Sequence, residues 1–483
     1  MVTEKHPSEE RNSEIQISTG VSLLRQIGLV SATSFVVGTM IGSGIFVTPQ
    51  YVLRFTGSAG LCLVMWTVGG IISLMGALTY VELASVVRQS GGEYAFYYKT
   101  FGPLPAFIYV FTVEVAMFPA GAAVGCLTFA EYFNSMLYDC GSPEVSKKLV
   151  AVAVIVTVMV INCYSVLLAS RCQVFFTAAK LIALFIIIIG GLVKIGQGYT
   201  MELSTGFDGT VASPASAALS LYFAMFAYGG WNNIYYLLEE VKNPRRNIVL
   251  ASVGGTALTT LVYVLTNISY LAVLSKRQIF SSKAVAATWA NEVLGKAAII
   301  IPISVLMSTF GSVSGGITAS TRTSFAAARD GVFPQFMSYI NVRYYTPIVP
   351  ILFRTMMAIF MVAQGSITTL ISFMTFLVWF FTGTCALCVI ILRFRAKNDP
   401  ERIKIPIVIP VLFLLICIFL LVTPIVQDPK LEFLYAVIFC LGSTLIYIPL
   451  VHYKVKPKIL EKLEMWLQLI WEVAPPSQKK ETW

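Results

Sequence analysis

Residues 36–49 read VVGTMIGSGIFVTP, where Gly42-Ser43-Gly44 interrupt an otherwise apolar run. Glycine inside a helix costs about 0.5–1 kcal/mol relative to alanine. Backbone at membrane depth leaves helical geometry only where protein or a cavity surrounds it. A second interruption, Tyr228-Gly229-Gly230-Trp231-Asn232, lies in another apolar segment. Two such broken segments in matching positions point to a solute site near the bilayer midplane. Bare N–H groups opening the half-helix after Gly44 attract a carboxylate, helped by the helix dipole and the Ser43 hydroxyl. Bare carbonyls near Phe226, Ala227 and Gly229 accept from an ammonium. A free amino acid carries both groups. These readings single out Gly42, Ser43 and Gly44 from one segment, and Phe226, Ala227, Gly229, Trp231 and Asn232 from the other; Thr39, Met40 and Ile41, just before the glycines, complete the candidate binding set. Phe226 and Trp231 offer rings that close over a bound side chain, while Asn232 ties the broken segment to a neighbour. The competing reading of the glycines is close helix packing, and that of Trp231 is ordinary aromatic packing.

Lys180 sits within FFTAAKLIALFIIII. An ionisable residue at that depth is costly and by default functional, and it lies too far from its segment end for easy snorkelling. Its ammonium is expected against carbonyls of the first segment, in place of a metal cation. Glu82 falls near the cytosolic end of the second segment. Glu114 reads either as a proton carrier or as a structural hydrogen-bond partner. Only two histidines occur, His6 and His452. Neither a metal cluster nor a nucleophile–base pair nor a phosphate loop is visible, so the sequence points to no enzyme and to no cofactor.

The elements that must hold these residues are apolar helices. The chain has 483 residues, of which 57% are hydrophobic and 12% charged, about half the charge of a soluble domain. Apolar runs long enough to cross a bilayer number about twelve. They fall near 24–53, 59–86, 102–135, 147–168, 171–194, 215–239, 248–275, 297–328, 347–364, 367–393, 405–426 and 430–453. The division expected is a polar cytosolic tail over 1–22, a membrane domain over 23–453, and a cytosolic tail over 454–483. In that last tail Leu460, Leu463, Leu467 and Ile470 recur at helical spacing, for a helix lying on the membrane or in solvent. The net charge of +10 follows cytosolic Lys and Arg under the positive-inside rule and excludes a nucleic-acid partner. Both termini are then cytosolic. The breaks fall in the first and sixth segments, as in two inverted five-helix repeats followed by two extra helices. Of nine cysteines, Cys140 is the one in an expected outer loop, where disulfides persist. Cys385 and Cys388 form a CxxC inside an apolar run and read as packing thiols.

The stretches GTMIGSGIFVTP, SGGEYAFYYKTFGPLPAF, FTAAKLIALFIII, FAYGGWNNIYYLLEEVKNPRRN and YVLTNISYLAVLS resemble the light-chain subunits of heteromeric amino acid transporters. The resemblance spans about Leu23 to Pro476. PIVQDPKLEFLYA and WEVAPP are similar to the cystine and basic/neutral exchangers, and GGWN to the L-type neutral exchangers. It implies the LeuT fold, an all-α membrane protein, and sodium-independent amino acid exchange at the plasma membrane. It also implies the carboxylate at Ser43 and Gly44, and the amino group at Met40, Ile41 and the carbonyls from Phe226 to Gly229. Phe226 is then the gating aromatic and Lys180 the residue replacing a sodium ion. Cys140 matches the cysteine that forms a disulfide with a single-pass glycoprotein heavy chain.

Departures from the pattern bear on substrate. Cystine/glutamate exchangers carry an arginine where this chain has Phe118, before Pro119, and another where it has Val378, before Trp379. Basic-amino-acid exchangers place an acid where it has Gly229. A neutral side chain, large and apolar or aromatic, is the expectation. Proton-coupled uniport, cystine or basic/neutral exchange, and a channel or sensor without turnover are the alternatives.

Overall fold

The computed structural model describes residues 27–138, 143–282, 284–395, 400–427, 431–455 and 457–475. Among them, nine helices are long and apolar enough to span a membrane. Pro214–Ala227 and Ile348–Gln364 are shorter apolar helices, and Glu144–Tyr164 begins with the charged residues Glu144, Lys147 and Lys148. Together these account for the twelve expected segments, in an all-α membrane protein.

Boundaries move where local chemistry overrides hydropathy. The connector between the second and third spans holds a helix, Glu93–Phe101, bounded by Gly92 and Gly102 at positive φ. The third span is not uniform. It runs as Pro103–Thr112, a π-helical turn Val113–Met117, and Phe118–Ser135. Pro119 has no N–H to give the preceding turn, which loosens the ladder there. The fourth and fifth spans, Glu144–Tyr164 and Val166–Gly196, are separated by Ser165 alone. After the seventh span, Pro244–Val273, the loop carries two short helices, Lys276–Ser281 and Val285–Leu294.

Glu82 fastens the second span, Ala59–Val87, to the tenth, Ile367–Arg395. Its buried carboxylate accepts from Arg393 Nε at 2.8 Å, from Arg402 Nη2 at 2.7 Å and from the backbone N–H of Ile405 at 3.2 Å. A carboxylate so enclosed is a structural clamp, since removing it leaves guanidinium groups without compensation.

Both ends of the described chain are pinned by backbone pairing. The N–H of Ile27 donates to the carbonyl of Glu240 at 3.0 Å, and that of Lys242 donates to the Ile27 carbonyl at 2.8 Å. The tail helix Lys458–Trp471 is followed by Val473–Ala474, which pairs antiparallel with Ile340–Asn341. Leu463, Met465, Trp466 and Leu469 on that helix are exposed, an apolar stripe suited to a membrane surface.

Candidate functional site

The first span breaks where the glycines interrupt it. Leu29–Met40 ends, Ile41 turns extended at φ −74° and ψ 91°, and the helix resumes as Gly44–Val47 and then Pro49–Thr56. The N–H groups of Gly42, Ser43, Gly44 and Ile45 donate to no acceptor among the described residues. Gly42, Ser43 and Gly44 line a cavity of about 280 Å³, so the first three of these donors border open space.

The sixth span breaks opposite. Pro214–Ala227 gives way to turns and then to a 3₁₀ helix, Asn233–Glu240, with the break at the expected Gly229-Gly230. The backbones meet closely. A Cβ on Gly44 would collide with the Cα of Ala227 and lie 2.7 Å from its Cβ. Gly230 has φ 110°, and a Cβ there would lie 2.9 Å from the carbonyl carbon of Thr39. The packing reading of these glycines therefore holds together with the cavity-lining one. Thr39 Oγ1 donates to the Gly230 carbonyl at 3.1 Å. Tyr263, from the seventh span, aims one hydroxyl at both breaks, 2.8 Å from the Met40 carbonyl and 3.0 Å from that of Ala227.

Lys180 is wholly buried. Its Nζ donates to the carbonyls of Gly38 and Ile41, each at 2.6 Å, and to Ser312 Oγ at 3.1 Å. All three ammonium hydrogens are used. No carboxylate pairs with it among the described residues. Two carbonyls and a hydroxyl thus surround one buried ammonium and compensate it.

Of the eleven candidate binding residues, ten line the cavity. Ile41 does not. It is fully buried, and its carbonyl accepts from Lys180. Trp231 lines the cavity, but much of its ring serves packing. It stands edge-on to Tyr80 at 4.8 Å between centroids, and a Cβ on Gly76 would sit 2.7 Å from it. Asn232 Nδ2 donates to Glu93 Oε1 at 2.5 Å, which ties the broken span to the helix before the third span. Phe226, Phe118 and Val378 complete the apolar wall. Cys140 lies outside the described residues.

Residues 27–451 match the family described as amino acid permease. The chain belongs to that family. The permease is 38% identical over 480 residues to the b(0,+)-type amino acid transporter 1 of Homo sapiens, covering 99% of each chain. It is 36% identical over 464 residues to the cystine/glutamate transporter of Homo sapiens, covering 95% of this chain and 92% of that one. It is also 36% identical over 473 residues to the large neutral amino acids transporter small subunit 2 of Mus musculus, covering 96% and 89%. Like these relatives, it is a membrane transporter and not an enzyme.

Four polar residues of the permease site fall outside the set that the sequence suggests. Glu93 lines the cavity and accepts from Tyr109 at 2.9 Å and Tyr80 at 3.2 Å besides Asn232. Arg354 also lines it, with its side chain 3% exposed. An ionisable group inside VPILFRTMMAIF carries the same signal that singles out Lys180. Tyr263 and Ser312 carry none, since hydroxyls are common in membrane helices.

Proposed function

We propose that this permease exchanges neutral L-amino acids with large apolar or aromatic side chains across the plasma membrane, without sodium, by alternating access. The backbone N–H groups from Gly42 to Ile45 take the substrate carboxylate. The carbonyls of Met40, Phe226, Ala227 and Gly229 take its ammonium. Phe226 closes over the bound molecule and shields it from water. The observation that carries the substrate class is the cavity wall. Phe118, Val378 and Gly229 face the space where a charged side chain would need a partner, and the side chains of Arg354 and Glu93 there are already hydrogen-bonded within the protein. Burying an unpaired charge costs several kcal/mol. The relative named for large neutral amino acids supports this reading; those named b(0,+)-type and cystine/glutamate mark the alternative.

Competition for labelled leucine uptake tests it. Leucine and tyrosine should inhibit at concentrations about tenfold or more below those of glutamate and arginine, a gap of about 1.4 kcal/mol. Equal potency of glutamate or arginine would favour the cystine or basic/neutral reading. Release of preloaded label should require external substrate; release without it would point to a uniporter or channel, and binding without flux to a sensor.

The "small subunit" in one relative's name supports a partner. In this reading the permease is the light chain of a disulfide-linked heterodimer. Cys140, in an outer loop between the third and fourth spans, bonds a single-pass glycoprotein, and both termini are cytosolic. Cys140→Ser should abolish the high-mass band on a non-reducing gel yet leave part of the surface uptake, because a tether chiefly raises effective concentration. An unchanged band would remove Cys140 from the interface.

A further inference from the structure

Arg354 lies midway along Ile348–Gln364, in the ninth span. Its guanidinium is held from every side. Nε donates to Glu114 Oε2 at 2.6 Å, and Nη2 donates to Glu114 Oε1, to Ser324 Oγ at 2.8 Å and to the Ser320 carbonyl at 2.7 Å. Nη1 donates to Ser320 Oγ and, at 3.5 Å, to the Ile317 carbonyl. Ser324 Oγ closes the ring by donating to Glu114 Oε1 at 2.6 Å. Glu114 is fully buried and sits in the π-helical turn Val113–Met117, a local irregularity that often marks functional positions. The Arg354 Cζ stands 5.2 Å from the centroid of the Phe118 ring, and Arg354, Phe118 and Ser320 all border the cavity.

We propose that Arg354 is a masked anion subsite: Glu114 occupies, from within the protein, the position a substrate's side-chain carboxylate would take, and so enforces selection for uncharged side chains. The inference rests on the reading of the permease as a neutral exchanger. A two-point guanidinium–carboxylate pair is the strongest arrangement for recognising a carboxylate, and here both of its partners come from the protein. With Glu114 in place, an acidic side chain entering the cavity meets a guanidinium whose donors are used. A basic one meets that positive edge beside an apolar wall. Both lose hydration without return, whereas an uncharged side chain loses little. Specificity thus comes from a repulsive and saturated element as much as from apolar contact.

The experiment compares glutamate as an inhibitor of leucine uptake in the wild type, Glu114→Gln, Glu114→Ser and the double variant Glu114→Gln/Arg354→Gln. Uptake is normalised to protein at the cell surface. The unpaired variants free Arg354 and should bring the inhibitory concentration of glutamate down about tenfold, the worth of one additional charge-assisted hydrogen bond. The double variant should lose that improvement. Two unpaired variants that reach the surface with unchanged selectivity would overturn the proposal, as would an improvement that survives without Arg354. Surface loss of both unpaired variants, with the double variant restored, would make the pair a folding element only and would overturn it too. Wild-type protein that already prefers glutamate to leucine would instead strike the neutral-exchange reading, before any variant is made.

Discussion

Lys180→Ala is expected to lower uptake about tenfold or more per molecule at the cell surface, while the unmutated permease works equally well when choline replaces all sodium. Tenfold is about 1.4 kcal/mol, a lower bound set by losing about one of its three charged-donor hydrogen bonds, each worth about 1.5–3 kcal/mol. Those bonds end on the carbonyls of Gly38 and Ile41, which lead into the break in the first span, and on Ser312 of the eighth. Without the ammonium, both carbonyls are buried without that donor, and the unwound backbone loses the charge that holds it open. Steep sodium dependence in the wild type would contradict the role of the lysine as a resident cation. Near-normal uptake by the alanine variant would show that the break holds its shape unaided. Surface biotinylation separates either result from a loss of folding.

Gly44→Val should abolish uptake. Two effects act together. The branched side chain intrudes where Gly42, Ser43 and Gly44 border the cavity, and the first atom it adds collides with the Cα of Ala227. Overpacking of this kind typically costs about 1–3 kcal/mol, and here it drives the two broken spans apart. Gly44→Ala distinguishes the effects, because one methyl suffices for the collision but leaves most of the approach to the amides open. Normal labelled-leucine uptake by the valine variant would remove the first span from the substrate site.

Legibility follows the strength of the local signal. The breaks near Gly42 and Gly229 can be read because glycine is expensive inside an apolar helix and falls there in close succession. Lys180 can be read because charge at that depth is rare. Arg354 carries the same signal and is open to the same rule. The pairing of Glu114 with it is not. That contact depends on a π-helical turn, 240 residues away in sequence, which shifts the register of the third span without altering its hydropathy. Ile41 enters the binding set through the family resemblance; which way its carbonyl turns is fixed by ψ, and sequence does not report that. Tyr263 and Ser312 act through hydroxyls indistinguishable in sequence from the many that bond to their own helix. The Glu93–Phe101 helix reads as connector because its polar and glycine-rich flanks mask a short helical run.

The pairing of Ile27 with Glu240 and Lys242 joins the entrance of the first span to the exit of the sixth. Its hydrogen bonds belong wholly to the main chain. Exchanging side chains at these positions leaves every donor and acceptor in place, so an alanine scan passes over the link in silence. Proline at position 27 reaches it, by deleting the amide hydrogen. The two broken spans of the site are thus coupled by a connection that ordinary sequence drift cannot easily sever, because side-chain changes at Ile27, Glu240 and Lys242 leave its hydrogen bonds in place.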